Sequence, residues 1–269
     1  MSQLISVLEN IRNNYCSNEC NETGLMIGDD WLENLKIKKC LITSHLTRKV
    51  VANAKKEEFE LIVTIFPPKF VTQRNKISKE KMELISILIN NKIAVYSLGS
   101  YWLTAEDGGF QYFLELLDFQ YSKDIEYRYY DEDKRLKIIH GRLGERKTKC
   151  KFKELVDLVQ NNLKSNVTYI GFDNQVIEKA AVFLKLDVEE TLESIIHDGK
   201  IDALIIGDVS YELLLSLNLK KIPVVITSRR VLENILLGKI RRMLMEDMNI
   251  DLQELTTLKQ DEIGVVYPK

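Results

Sequence analysis

The sequence predicts an α/β fold of two packed lobes, with mainly parallel mixed sheets and an antiparallel hairpin in the middle. Short apolar segments alternate with helical patterns in both halves, which is typical of parallel sheets covered by helices. Residues 124–130 and 135–142 flank Asp131-Glu132-Asp133, and this arrangement predicts the hairpin. The length of 269 residues suits one large domain or two lobes of about 130 residues each, and either is able to bury a core.

The first half contains three predicted strand–helix units. Thr47 is the predicted cap of the first helix, and Asp107-Gly108-Gly109 begins the last one. The predicted elements, strand and helix in alternation, are 39–44, 46–57, 60–65, 78–91, 92–96 and about 107–117. An amphipathic helix is predicted at the N-terminus, where four apolar residues share a face: Leu4, Ile5, Leu8 and Ile11.

The second half has the same character without a clean internal repeat. Residues 177–185 fit a helix or a strand on periodicity alone, and residues 263–267 would add a final edge strand. The other predicted elements are a helix at 151–163, a strand at 167–171, a helix at 187–197, a strand at 202–206, a helix at 209–217, a strand at 222–227 and a helix from about 229 to 246. We predict a first lobe of residues 1–120 with 225–269, and a second lobe of residues 121–224.

The composition argues against a general preference for polyanions or membranes. The 38 basic and 40 acidic residues nearly balance, so no global field favours nucleic acid or an anionic membrane. No apolar run approaches the roughly 18 residues of a membrane span, and the N-terminus lacks the pattern of a secretory signal. Four cysteines are few for a disulfide scaffold, and Cys16 and Cys20 have no second pair that would complete a zinc site. We therefore expect a cytoplasmic protein in a reducing compartment.

Six segments, spread over almost the whole chain, carry a family resemblance. They are E-T-G-L-M-I-G at 22–28, a strand, helix, strand and double proline at 39–68, K-I-A-V-Y-S through G-G at 92–109, G-R-L-G-E at 141–145, G-D-V-S-Y-E at 207–212 and V-V-I-T-S-R-R-V-L-E-N at 224–234. In this order they resemble the Ngg-one-interacting-factor-three (Nif-three) family, some of whose members are described as GTP cyclohydrolase I type 2-like. The double proline and the V-Y-S segment are closer to the eukaryotic members.

The resemblance implies two divalent metals in a cleft between two lobes, held by His, Asp and Glu side chains. Carried over position by position, most of these ligands are replaced in this chain. The replaced positions are Phe66, Gly99 and Arg229, each for a histidine, and Leu103 or Thr104 for an aspartate. One family glutamate is retained, as Glu233. The resemblance therefore implies a degenerate di-metal site.

Arg229 opposes a metal more strongly than a neutral residue would. A guanidinium stays protonated, and about 4 Å from a dication it is repelled by roughly 8 kcal/mol at an effective dielectric constant of about 20. Glu233 follows four residues later on the same helix face, so we predict an ion pair between the two side chains. Arg229, Asp208 and Tyr211 then become candidate contacts to an anion or another cleft ligand.

Other polar residues admit both a functional and a structural interpretation. Glu106 and Asp107 fit a relocated acid site, but acids also stabilise helix starts. Asp208 follows a strand end, where ligands bind in open α/β sheets, although capping of the next helix by Asp208 or Ser210 is the commoner explanation. The three histidines are scattered along the chain, at His45, His140 and His197.

We expect a non-catalytic, metal-free and cofactor-free Nif-three-like protein that acts through protein–protein contacts or oligomer assembly. The resemblance implies homo-oligomers, from dimers to larger rings, and leaves room for an unidentified protein partner. One alternative is a residual metal-dependent hydrolase that uses Glu233 with Asp107, Asp208 or shifted ligands. The other is nucleotide or nucleic-acid binding through a basic helix face, formed by Arg229, Arg230, Lys239, Arg241 and Arg242.

Overall fold

A computed structural model of the chain describes residues 5–6, 8–9, 23–32, 37–70, 77–131, 134–186, 201–246 and 254–257. Over these residues it has eleven strands and eight helices. The strands are β1 (Gly24–Ile27), β2 (Lys39–Thr43), β3 (Leu61–Thr64), β4 (Ala94–Ser97), β5 (Gln120–Asp131), β6 (Lys134–Lys151), β7 (Thr168–Ile170), β8 (Val176–Phe183), β9 (Ala203–Ile206), β10 (Val224–Ile226) and β11 (Glu254–Thr257). The helices are α1 (Asp29–Leu32), α2 (Arg48–Lys56), α3 (Lys79–Asn90), α4 (Gly99–Thr104), α5 (Gly109–Leu116), α6 (Phe152–Leu163), α7 (Tyr211–Leu219) and α8 (Arg229–Glu246).

The chain divides into two compact units. Unit 1 comprises Met1–Trp102 with Leu236–Lys269, and unit 2 comprises Leu103–Ile235. The lobes predicted from the sequence, 1–120 with 225–269 and 121–224, have different limits, and their independence as domains stays a prediction. Each unit contains one sheet with helices, so the predicted α/β class is confirmed.

Unit 1 is built on a five-stranded sheet in the order β1-β4-β3-β2-β11. Strands β11, β2, β3 and β4 run parallel, and β1 joins β4 antiparallel. The parallel strands are continuous apolar runs because helices cover such strands on both faces. Leu41, Ile62 and Val95 from three neighbouring strands pack with Val50 of α2 and Leu88 of α3 in one buried cluster. This packing fixes where β3 and β4 end, and the candidate positions Phe66 and Gly99 follow those two ends.

Unit 2 is built on a six-stranded mixed sheet in the order β5-β6-β8-β9-β10-β7. Strands β8, β9 and β10 are parallel neighbours. The predicted hairpin is confirmed as β5 and β6, which pair antiparallel over a longer stretch than the sequence indicated. Buried Phe183, Ile206 and Val224 from the parallel strands pack against Leu213 and Leu217 of α7.

The ends of the helices follow simple capping chemistry. The Thr47 side chain accepts a hydrogen bond from the Val50 N–H, which confirms the predicted cap of α2. Five helices end in a non-glycine residue with positive φ, in the left-handed region that closes a C-terminus. These residues are Glu58 (58°), Lys92 (52°), Asp118 (59°), Lys164 (49°) and Lys221 (56°).

Most predicted elements are found within a few residues of their expected limits. The ambiguous segment 177–185 is a strand, β8, because it lies between two other strands in the sheet. Strands β1 and β11 and helices α1 and α4 were not predicted. The predicted helix at 187–197, the predicted strand at 263–267 and most of the predicted N-terminal helix lie outside the described residues. Among the described residues, no helix is long and apolar enough to cross a membrane.

Candidate functional site

Phe66, which the resemblance matches to a family histidine, lies just beyond the carboxyl end of β3. Its backbone N–H donates to the carbonyl of Ser44, which follows β2, over 3.0 Å. Its ring stacks on the imidazole of His45, with the centroids 4.8 Å apart and the planes 14° from parallel. A phenyl ring offers no lone pair to a metal, so this position contributes a flat apolar contact instead of a ligand.

Gly99, which the resemblance matches to another family histidine, is the first residue of α4 and lies just beyond β4. It is buried, and its backbone φ is +74°, in the left-handed region that residues with a Cβ rarely adopt. The preceding residue, Leu98, still belongs to the sheet edge, because its N–H donates to the Thr64 carbonyl over 2.9 Å. The backbone at this point is therefore shaped for glycine.

A row of buried hydroxyl side chains crosses the carboxyl ends of the parallel strands in unit 1. Thr43, Thr64 and Ser97 are register partners on β2, β3 and β4, and all three are inaccessible to solvent. The Thr43 hydroxyl donates to the His45 carbonyl and the Thr64 hydroxyl to the Tyr96 carbonyl, each over 3.4 Å. These neutral side chains lack the charge with which carboxylates compensate a divalent ion.

Leu103 and Thr104, the two candidate positions for the family aspartate, lie at the end of α4 in unit 2. Leu103 is buried, and the carbonyl of Thr104 accepts a hydrogen bond of 2.6 Å from Arg142 Nη2. Arg142 Nη1 also donates to the Ala105 carbonyl over 3.0 Å, and Arg142 Nε donates to Asp124 Oδ1 over 2.8 Å. One buried guanidinium thus ties the end of α4 to the β5–β6 hairpin.

The glycines of the G-R-L-G segment allow Arg142 to take this position. A Cβ at Gly141 would lie 2.5 Å from the Val182 carbonyl oxygen, and one at Gly144 would lie 2.7 Å from Leu114 Cδ2. Either contact is too short, so β6 needs glycine on both sides of Arg142 to approach β8 and α5. Sequence reasoning noted this segment as a family motif and did not assign Arg142 a role.

Arg229 and Glu233 form the predicted ion pair on the first turns of α8. Arg229 Nε donates to Glu233 Oε1 over 2.7 Å. The Glu233 side chain is 6% exposed and the Arg229 side chain 34% exposed. The Arg229 N–H donates to the Gly207 carbonyl over 2.9 Å, and a Cβ at Gly207 would lie 2.9 Å from Arg229 Cα. The Glu233 carboxylate is therefore buried and paired with a cation on its own helix.

Asp208 and Tyr211 follow β9 in the same unit. Asp208 is exposed, and its carbonyl accepts a hydrogen bond from the Leu186 N–H over 2.8 Å. Ser210, and not Asp208, caps α7 by accepting from the Leu213 N–H over 3.2 Å. Tyr211 begins α7 and is 70% exposed. Within unit 2, Arg229 contacts Gly207, the residue before Asp208, whereas the Tyr211 side chain faces solvent.

The remaining candidates lie apart from these positions. Glu106 and Asp107 are exposed and precede Gly108, the N-cap residue of α5, as expected for acids near a helix start. Burial raises the pKa of the Cys40 and Cys150 thiols. The side chain of His140, and all of Cys16, Cys20 and His197, lie outside the described residues.

The family assignment rests on the whole chain. The model of the Duf34/NIF3 (NGG1p interacting factor 3) family matches residues 1–261. The chain belongs to the Duf34/NIF3 family. Solved structures of the same fold include a Bacillus cereus protein related to NIF3, which is 13% identical with a TM-score of 0.72 and covers 99% of this chain and 98% of its own. A search of curated proteins found no match.

Two further solved structures agree with the NIF3 fold. Reduced HcgD from Methanocaldococcus jannaschii is 21% identical to this chain, with a TM-score of 0.73 over 94% of this chain and 96% of its own. A hypothetical protein from Staphylococcus aureus, SA1388, is 14% identical, with a TM-score of 0.69 over 98% of this chain and 99% of its own. At these identities the likeness establishes the fold alone.

The side chains at the positions that the resemblance matches to metal ligands do not fit two divalent metals. Phe66 and Gly99 supply no donor atom, and the Glu233 carboxylate is held by the Arg229 guanidinium. Over the part of the chain that the structure describes, no group of three or more His, Cys, Asp or Glu side chains is placed to hold a metal ion. A structural or catalytic ion needs several such ligands.

Proposed function

We propose that this NIF3-family chain is a non-catalytic, metal-free member that acts through protein–protein contacts and oligomer assembly. The observation that carries the proposal is the Arg229–Glu233 pair, with its 2.7 Å contact and its buried carboxylate. A metal at this position would have to displace a guanidinium from that carboxylate and then occupy the space beside a permanent positive charge. Phe66 and Gly99, which the resemblance matches to two further ligands, carry no donor atom in their side chains.

Elemental analysis of the purified protein tests the loss of metal binding. We expect less than about 0.1 equivalent of zinc, manganese, iron or nickel per chain, because one carboxylate is too few for a stable site. The Arg229→His variant should stay equally metal-poor, since two further positions lack donors. Stoichiometric metal in either protein would refute the proposal and favour a residual metal-dependent hydrolase that uses Glu233 with shifted ligands.

The Arg229–Glu233 pair also supports an anion, and not a metal ion, as the ligand bound at this end of α8. Arg229 is one-third exposed, and its guanidinium N–H groups are charge-assisted donors. A carboxylate of another protein therefore fits this end of α8 better than a cation does. The Arg229→Gln variant should weaken capture of an acidic partner, measured by affinity purification, while its oligomeric state stays unchanged.

Nucleotide or nucleic-acid binding is a second candidate, favoured by the basic residues of α8. Arg241 and Arg242 are exposed on this helix, and Arg230 is half-buried near its start. Phosphate contacts weaken steeply with salt. A filter-binding assay with single-stranded RNA between about 50 and 200 mM salt would reveal such a contact. Binding that survives reversal of both charges, in Arg241→Glu with Arg242→Glu, would reject this surface.

A further inference from the structure

A cavity opens on unit 2 at the end of β10 that lies away from Arg229. Its volume is about 420 Å³, within the range of sites that bind small molecules. Ile222 precedes β10, whereas Arg229 follows the carboxyl end of that strand. The cavity is therefore separate from the Arg229–Glu233 pair. It is lined by Ile170, Gly171, Phe172, Asn218, Lys221 and Ile222.

Gly171 allows the chain at the end of β7 to lie close to the core. Its φ is +150°, and a Cβ there would lie 2.6 Å from Phe152 Cε1 and 3.0 Å from Pro223 Cβ. Both neighbours are buried, so any larger residue would push this loop away from the sheet. The wall that carries Phe172 therefore takes its position from a glycine.

Phe172 is 73% exposed on a loop that backbone hydrogen bonds hold in place. Its carbonyl accepts from the Gln175 N–H over 2.9 Å, and the Gln175 carbonyl accepts from the Phe152 N–H over 2.8 Å. The Asp173 carbonyl accepts from the Lys153 N–H over 3.2 Å. These bonds tie the loop to the first turn of α6. A phenyl ring thus stays at the surface beside two isoleucines, as an apolar contact for a ligand.

The end of α7 supplies a second wall that is also fixed by its backbone. The Lys221 N–H donates to the Asn218 carbonyl and the Ile222 N–H to the Leu217 carbonyl, each over 3.0 Å. The φ of Lys221 is 56°, which closes the helix at this point. Both walls are held without a ligand, so binding does not have to order them first.

Two polar side chains of the cavity have no partner within the part of the chain that the structure describes. Lys221 offers an ammonium group, and Asn218 offers an amide with two donor hydrogens. Lys221 is the one charged residue among the six that line the cavity, and Asp173 of the neighbouring loop is not among them. A single ammonium beside apolar walls favours a ligand with an apolar body and an anionic head.

We propose that this cavity binds a small apolar carboxylic acid, with its body against Phe172 and Ile222 and its carboxylate at Lys221 Nζ. A cavity of about 150 Å³ accepts benzene, so 420 Å³ corresponds to roughly 12–17 non-hydrogen atoms. A ligand of this size and one exposed ion pair give a dissociation constant of about 0.1–1 mM. Such a site goes beyond the proposed function, since it depends on neither metal content nor assembly.

Ligand-observed NMR titration of the full chain with phenylbutyrate tests the site. Phenylbutanol and phenylbutylamine carry the same apolar body with a neutral and a cationic head. Phenylbutyrate should bind about fivefold more tightly than the alcohol, because the ammonium pairs with its carboxylate. The amine should bind least, because its charge has the same sign as that of Lys221.

Two substitutions separate the head of the ligand from its body. Lys221→Gln should weaken phenylbutyrate about fivefold and leave phenylbutanol unchanged. Lys220→Gln is the matched control, because Lys220 is an exposed neighbour that does not line the cavity. Phe172→Ala should weaken all three probes about equally, whereas Met82→Ala, at a residue 53% exposed on α3, should weaken none. Urea midpoints equal to that of the wild type would show that the variants are folded.

Four outcomes would overturn the inference. Three are equal binding of the acid, the alcohol and the amine, equal effects of Lys221→Gln and Lys220→Gln, and unchanged binding in Phe172→Ala. The fourth is a short peptide ending in a phenylalanine carboxylate that binds more than about tenfold tighter than phenylbutyrate, which would assign the cavity to the terminus of a protein partner. None of these outcomes bears on the metal content, which elemental analysis measures separately.

Discussion

The strongest quantitative prediction concerns Arg229→Met, which keeps an apolar stem and removes the guanidinium from buried Glu233. Breaking a fully buried pair costs about 3–5 kcal/mol, because the remaining charge loses its partner. An exposed pair contributes about 0–1 kcal/mol. With Glu233 6% exposed and Arg229 34% exposed, we expect a loss of about 2 kcal/mol in the free energy of unfolding of the chain.

Urea denaturation followed by circular dichroism measures this loss. At a slope of roughly 2 kcal/mol per molar urea, the midpoint should fall by about 1 M. Arg48→Met is the matched control, because Arg48 pairs with Glu83 over 3.3 Å with side chains 66% and 51% exposed. Its midpoint should move by less than about 0.3 M.

A second substitution tests the cause of the effect. Adding Glu233→Gln to Arg229→Met removes the unpaired charge, so the double variant should regain at least half of the lost stability. If Arg229→Met costs no more than Arg48→Met, the guanidinium does not compensate the buried carboxylate. A double variant no more stable than Arg229→Met would lead to the same conclusion.

Three further substitutions and one labelling experiment follow from the described residues. Gly238→Ala should raise the stability by about 1 kcal/mol in urea denaturation, because Gly238 is an exposed helical glycine and an added Cβ meets no atom within 4 Å. Lys92→Gly should also raise it by about 1 kcal/mol, since φ at this residue is 52°. Arg142→Met should lower the melting temperature and loosen the β5–β6 hairpin, seen as faster amide exchange, because Asp124 and two carbonyls lose a buried donor. Burial raises the pKa of the Cys40 thiol, so a thiol reagent at pH 8.5 should label it only after unfolding; labelling of the native protein at the rate of a free thiol would contradict this burial.

The parts of the fold that sequence predicts are those encoded by local patterns. The apolar runs at β2, β3 and β9 had to be buried strands, and the predicted pair of Arg229 with Glu233 needed only helical spacing. The hydrogen bonds of Arg142 could not be predicted from local patterns. Its partners lie 18, 37 and 38 residues away and come into contact with it only in the folded chain. The leucines of α7 fit a core helix at any orientation, so nothing local indicates which of them the sheet leaves exposed.

Gly99 bears on how a metal site could be rebuilt in this protein by design. At an ordinary position, one substitution is enough to introduce a metal-binding side chain. At Gly99, where φ is +74°, the backbone at the start of α4 would first have to take a different conformation. A histidine introduced there alone would destabilise the chain before it bound any ion. The order of changes therefore matters: the turn after β4 must be remodelled first, and each ligand becomes useful only after that step.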